Sequence, residues 1–264
     1  MDLGFHNSTA VIVGGASGIG RACAQTFASE GVRVVVWDRV VDNPETSHDQ
    51  HAAHHIAVDI SDSQAVQDAV AQTLSLSGTI NHLVNAAAVG SGKFGAPFTH
   101  LNPADWTRVL EVNVGGMVNV AHAVAPHMIE QQGGTMVFVA SVAGQVGSPT
   151  DPPYSASKAA NINFAQVMAR DLACHGIRVN TVCPGMVKTP LNRSVWQSWN
   201  ERQSEQDQLS YDDWAAQKIK QLVPLGRWQK AEDIADMIVF LSSDRAAQVT
   251  GQTINVDGGY VMHA

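Results

Sequence analysis

The chain has 264 residues, of which 45% are hydrophobic and 15% charged, which fits one large globular domain with a sizeable core or two small ones. Its formal net charge of −8 denies it the basic face that nucleic acid or an anionic membrane needs, so neither is expected as a partner. Three sparse cysteines, Cys23, Cys174 and Cys183, form neither a disulfide framework nor a zinc spacing and read as small buried apolar side chains.

No stretch approaches the ~18 apolar residues of a spanning helix. The opening "MDLGFHNSTAVIVGG" lacks the basic and apolar regions of a signal peptide, so a cytoplasmic location is expected.

In chain order, the strand candidates are 10–13, 32–37, 55–58, 82–85, 135–140, 178–182 and 253–256. Several are continuously apolar rather than alternating, which marks a sheet covered on both faces and hence parallel. Between them lie helical patterns at 18–30, 63–76, 103–131, 154–175 and 230–242. This alternation predicts one α/β domain over 1–264: doubly wound, Rossmann-type, with a parallel sheet flanked by helices on both faces.

Two segments break the rhythm. The stretch 40–54 is polar and interrupted by Asn43-Pro44; its histidines 48, 51 and 54, with His55, read as solvated side chains, and no metal site is expected. The stretch 186–225 runs for about forty residues, a length that points to a substrate lid.

The first candidate site is "VGGASGIG" at 13–20, which follows a strand and opens a helix. Glycines there let the backbone turn sharply and approach a pyrophosphate, while the helix N-terminus offers free N–H groups and a positive dipole end. Gly14, Ser17, Gly18, Ile19 and Gly20 are the candidate contacts. The next strand, "VRVVVWD", ends in Asp38, whose carboxylate can accept both hydrogen bonds of an adenosine ribose diol and would repel a 2′-phosphate. That favours NAD over NADP, although the adjoining Arg39 could pair with a 2′-phosphate.

The second is "YSASK", where Tyr154 and Lys158 stand four residues apart on one helix face. A phenol titrates near pH 10, and a neighbouring ammonium lowers that value, so Tyr154 can exchange a proton with an alcohol oxygen. Ser141 ends the strand "GTMVFVAS", at the sheet edge where such folds bind ligands. Asn113, a lone amide in the apolar "VLEVNVGGM", is either a satisfied buried amide or part of the site.

With the segments "VDI" at 58–60, "VNAAA" at 84–88, "NTVCPGMVKTP" at 180–190 and "GQTINVDGG" at 251–259, the chain resembles the short-chain dehydrogenase/reductase family from about residue 9 to 260. The resemblance implies Tyr154 as acid/base, Lys158 as its pKa-lowering partner and nicotinamide-ribose ligand, and Ser141 as holder of the substrate oxygen. It implies Asn113 as positioner of a water in a proton relay, Asp59 and Ile60 as adenine contacts, and Asn85 and Ala87 along the cofactor path. It also implies Val187 and Thr189 at the nicotinamide carboxamide after the Pro184-Gly185 turn, and a homotetramer joined through the helices near 103–131 and 154–175 and the C-terminal segment.

The family usually carries threonine at the position of Val13, and Asn-Asn-Ala-Gly where this chain has Asn85-Ala86-Ala87-Ala88. Val13 is therefore expected to pack near Ala86, burial replacing a hydrogen bond. Ala88 places a Cβ where the family leaves space.

The lid stretch carries Trp196, Trp199, Tyr211 and Trp214. These rings either line a pocket for a large apolar substrate or pin the lid to its own domain or another subunit. Lys93, Phe94, Val142, Ala143, Pro152 and Pro153 are further pocket candidates. The reading is an oxidoreductase moving a hydride between NAD and a secondary alcohol or ketone, on a hydrophobic ring compound such as a terpenoid, steroid or alicyclic alcohol. The alternatives are a 3-oxoacyl thioester reductase using NADPH and a silent dinucleotide-binding protein.

Overall fold

The computed structural model describes residues 2–40, 54–148 and 150–263. The polar connection expected at 40–54, with His48 and His51, lies outside these residues except at its two ends. His54 and His55 are not loop residues; they open the edge strand β3 (His54–Ala57). Among the described residues no cluster of metal-ligating side chains occurs.

Seven strands form one sheet in the order β3-β2-β1-β4-β5-β6-β7, every neighbouring pair parallel. The others are β1 (Thr9–Val13), β2 (Arg33–Asp38), β4 (His82–Asn85), β5 (Gly134–Val139), β6 (Ile177–Pro184) and β7 (Thr253–Val256). All seven predicted strands are present: those at 82–85 and 253–256 match as predicted, and the others differ at their ends by one or two residues.

Side chains alternate across a strand, so β1 feeds both faces. Val11 and Val13 join Trp37, Leu83, Met136 and Phe138 in one core layer. Ala10 and Ile12 join Val36, Phe27 and Ile238 in the other. The first layer is closed by α2 (Ser63–Ser77), α4 (Gly116–Gln131) and α5 (Pro152–Leu172), the second by α1 (Gly18–Ser29) and α8 (Ala231–Ser242). Two buried faces explain why β1, β2 and β5 are apolar at nearly every position.

The predicted helix 103–131 is divided. A turn of π-helix, Glu111–Gly115, separates α3 (Pro103–Leu110) from α4. Gly116 lies against Ile60, where a Cβ would stand 2.6 Å from the Ile60 side chain.

The lid stretch contains two helices, α6 (Pro190–Asn200) and α7 (Tyr211–Leu222). Its aromatics pack on one another: Tyr211 stacks on Trp214 at 6.2 Å and meets Trp228 edge-on at 4.9 Å, and Trp196 and Trp199 close the cluster. No described helix is long and apolar enough to cross a membrane.

Candidate active site

A cavity of about 810 Å³ opens over the C-terminal ends of the strands. The strand order reverses between β1 and β4, and that switch point leaves the crevice in which doubly wound sheets bind ligands.

At one end of the cavity, β1 turns into α1 through the glycine loop. Gly14 has φ +76°, and a Cβ there would stand 2.7 Å from the Ala87 amide nitrogen. A Cβ on Gly20 would run into the Gly14 carbonyl oxygen. The loop is thus a cradle that side chains would fill, and Ser17, Gly18 and Ile19 line it beside the α1 N-terminus. With its glycines leaving room and the helix N-terminus supplying free N–H groups and a positive dipole end, it fits a dinucleotide pyrophosphate.

Asp38 ends β2 at the cavity wall, where its Oδ2 accepts from the Ala16 amide (3.0 Å) and its Oδ1 from Val40 (3.2 Å). Arg39 reaches Asp59 at 4.0 Å and Arg108 reaches it at 3.6 Å. The Ser61 hydroxyl and amide, more than either arginine, hold the Asp59 carboxyl below its ordinary range. Ile60 lies beside it on the cavity wall, and Ala87 lines the middle. Asn85 sits beneath that wall, its Oδ1 accepting from the Ala87 amide at 3.3 Å.

Val13 is not paired with Ala86 side chain to side chain. It belongs to the core layer that contains Ala87, whereas Ala86 packs on the opposite layer. The link between them is a backbone bond, Ala86 amide to Val13 carbonyl, at 2.9 Å. Register explains this: Val13 pairs with Asn85, so the next residue points to the other face.

At the other end, β5 delivers Ser141 and α5 delivers Tyr154 and Lys158. The Ser141 hydroxyl lies close enough to the Tyr154 phenol to favour its charged form. Lys158 is buried, donates to the Val139 carbonyl (2.7 Å) and stands 5.4 Å from the Tyr154 ring centre. Burial pulls its pKa down to about 8. The phenol differs from expectation: burial, then the negative charge of Asp151, raise its pKa above the ordinary value despite the nearby Ser141 hydroxyl. Lys158 does not reverse this, because its ammonium points to Val139.

Asn113 lies behind the wall on the π-turn, a distortion common near functional sites. Its Oδ1 accepts from the Val89 amide (2.8 Å), and its Nδ2 donates to the Val89 carbonyl (2.9 Å) and to Ser157 (3.0 Å). Its own carbonyl accepts from Asn161. Of the two expectations, the satisfied buried amide describes its side chain. It braces the residue before Lys158.

At the end of β6 and just beyond it, Pro184, Gly185, Val187 and Thr189 line the cavity. The Thr189 hydroxyl accepts from Asn192 and caps α6. Phe94, Val142 and Ala143 line the substrate end. Lys93 does not: it is turned away to Asp105 at 2.7 Å. Pro152 and Pro153 form the first turn of α5 rather than the wall. Of the four lid aromatics, Trp214 reaches the cavity; the others pin the lid to itself. Cys23 and Cys183 are buried as expected, but Cys174 is exposed. Asp151 is a wall residue that the sequence reading passed over. An aspartate before two prolines reads as a helix N-cap, yet its side chain caps nothing.

The fold and the cradle together define a nicotinamide-dinucleotide oxidoreductase. The family model described as enoyl-(acyl carrier protein) reductase matches residues 14–261. The 3-oxoacyl-[acyl-carrier-protein] reductase of Thermotoga maritima is 34% identical over 98% of this chain and 99% of its own. The D-threitol dehydrogenase of Mycolicibacterium smegmatis is 32% identical over 99% and 95%. Levodione reductase superposes with a TM-score of 0.88 at 28% identity, over 97% of this chain and 98% of that one. The chain belongs to the short-chain dehydrogenase/reductase family.

Proposed function

We propose that this protein interconverts a secondary alcohol and its ketone with NAD, on a substrate with an apolar, ring-bearing body such as an alicyclic alcohol. The observation that carries the reading is a single cavity shared by the glycine cradle, Asp38 and the Ser141–Tyr154–Lys158 group.

In this reading Gly14, Ser17, Gly18, Ile19 and Gly20 hold the pyrophosphate and Asp38 the adenosine ribose. Asp59 and Ile60 flank the adenine, Asn85 and Ala87 shape the middle, and Lys158 binds the second ribose. Val187 and Thr189, with the Pro184-Gly185 turn, hold the carboxamide. A nicotinamide dinucleotide, when bound, supplies the hydride acceptor or donor. Ser141 holds the substrate oxygen, and Tyr154 takes its proton in oxidation or returns it in reduction. The lowered pKa of Lys158 makes that ammonium a ready proton relay at neutral to mildly alkaline pH. Asn113 keeps Lys158 in place through Ser157.

The apolar body is supported by Phe94, Val142, Val146, Leu191, Val195 and Trp214 on the cavity wall. NAD is supported by Asp38 and by Arg39, whose charge faces Asp59. The Thermotoga maritima relative favours a second reading, reduction of a 3-oxoacyl thioester with NADPH. A cytoplasmic homotetramer belongs to the same proposal; exposed Leu110, Val167 and Met262 lie on the segments it would join.

Initial rates with NAD⁺ and NADP⁺ across cyclic secondary alcohols, small linear alcohols and 3-hydroxyacyl thioesters test the reading. Cyclic alcohols with NAD⁺ are expected to lead, and Tyr154→Phe to lose roughly 10²- to 10⁴-fold in turnover. Unchanged turnover in Tyr154→Phe sinks the catalytic assignment; a thioester with NADP⁺ in the lead establishes the second reading.

A further inference from the structure

Four cationic side chains line the cavity: Arg39, Arg108, Lys158 and Lys218. Three of them are engaged. Arg39 and Arg108 face Asp59, and Lys158 donates to the Val139 carbonyl. Lys218, on the lid helix α7, is half-buried, and its ammonium has no ion-pair or hydrogen-bond partner among the described residues.

The sequence around Lys218 leaves it unpaired. The helical positions that could reach it, three and four residues away, hold Trp214, Ala215, Gln221 and Leu222, and none is a carboxylate. Trp214, Lys218 and Leu222 share one face of α7, and all three line the cavity. A charge set between two apolar side chains is poorly solvated on that side, so it attracts an anion more strongly than it would in bulk water.

A second donor stands at the same end. The C-terminal segment is pinned beside the close of α7: the Leu225 amide donates to the Gly258 carbonyl at 3.1 Å, and a Cβ on Gly258 would stand 2.5 Å from the Val223 side chain. Val261 packs beside Val142 and is held through its amide by Asp257 at 2.7 Å. Tyr260, between these anchors, lines the cavity and is 36% exposed, and its hydroxyl has no partner among the described residues. We propose that Lys218, with the Tyr260 hydroxyl, holds a carboxylate carried by the substrate, so that the preferred substrate is an alicyclic hydroxy acid rather than a neutral alcohol. This rests on the proposed function for the reacting end.

The test is the ratio of kcat/KM for 4-hydroxycyclohexane-1-carboxylate to that for its carboxamide, with NAD⁺, in the wild type, Lys218→Met, Lys218→Glu, Lys218→Arg and Tyr260→Phe. The two substrates differ in charge at nearly equal shape, so effects on hydride transfer or on ring packing cancel in the ratio. The wild type is expected to favour the carboxylate. Lys218→Met should lower the ratio roughly fivefold or more, Lys218→Glu should lower it further, and Lys218→Arg should retain it. Tyr260→Phe should lower it about twofold; an unchanged ratio there overturns the part given to that hydroxyl. Added salt should lower the ratio in the wild type and leave Lys218→Met unmoved. A wild type indifferent to the charge, or Lys218 variants with an unchanged ratio, overturns the inference and leaves the proposed function standing. NADH titration separates the other anion that could reach Lys218: binding weakened in Lys218→Met together with an unchanged ratio gives the ammonium to the dinucleotide phosphates and overturns the inference. If neither compound is oxidised, the proposed function fails, and calorimetric titration of the carboxylate into the NADH-loaded protein decides. Binding that Lys218→Met weakens roughly fivefold or more supports the role of Lys218; absent or unaltered binding overturns it.

Discussion

Acidification should destabilise this protein through His82. His82 lies on β4 and is 8% exposed. Its Nδ1 meets the Thr135 hydroxyl at 2.8 Å, and its ring stacks on Phe27 and meets the edge of Phe5. Burial, then the Arg178 charge, push its pKa from 6.5 down to about 4. Above pH 6.5 the ring is neutral in both the folded and the unfolded chain. Below it the unfolded chain takes up a proton that the folded chain refuses, so stability falls as pH drops toward 4. From these two values the loss is about 2 kcal/mol between pH 7 and pH 5, and about 3 kcal/mol by pH 4. Urea denaturation at pH 7 and pH 5 measures it, with His82→Asn as the comparison, since its amide can face Thr135 but cannot titrate. The variant is expected to be less stable at both pH values but to lose under ~0.5 kcal/mol between them. An equal pH loss in the two proteins refutes the reasoning.

Two further substitutions probe the dinucleotide end. Gly20→Ala drives a Cβ into the Gly14 carbonyl, so the loop must move; NADH titration should show at least about tenfold weaker binding. Val13→Thr keeps the shape but buries a hydroxyl in an apolar layer, and should cost about 1–2 kcal/mol in chemical denaturation. A gain in stability would mean that a polar group near Ala87 lacks a partner which threonine supplies.

The strands were legible because a sheet covered on both faces demands apolar residues at every position, and "AVIV" and "VVVW" meet that demand. Gly14, Gly20, Asp38, Tyr154 and Lys158 were legible because each is tied to its neighbours by local spacing: a turn, a strand end, one helical turn. The π-turn at Glu111–Gly115 was not, because one extra residue shifts the apolar stripe by a single position and helix-forming sequence continues on both sides.

The sequence by itself therefore determined the parallel sheet, the cradle and the proton-handling pair, since these depend on period and on residues close along the chain. Only the tertiary structure decided where side chains from distant segments meet. It gave Asn113 to Val89, turned Lys158 toward Val139, and closed three lid aromatics on themselves instead of the cavity. It also placed Asp151 against Ser91, sixty residues away. Burial and pairing arise from the packing of whole elements, and no short window of sequence contains both members of such a pair.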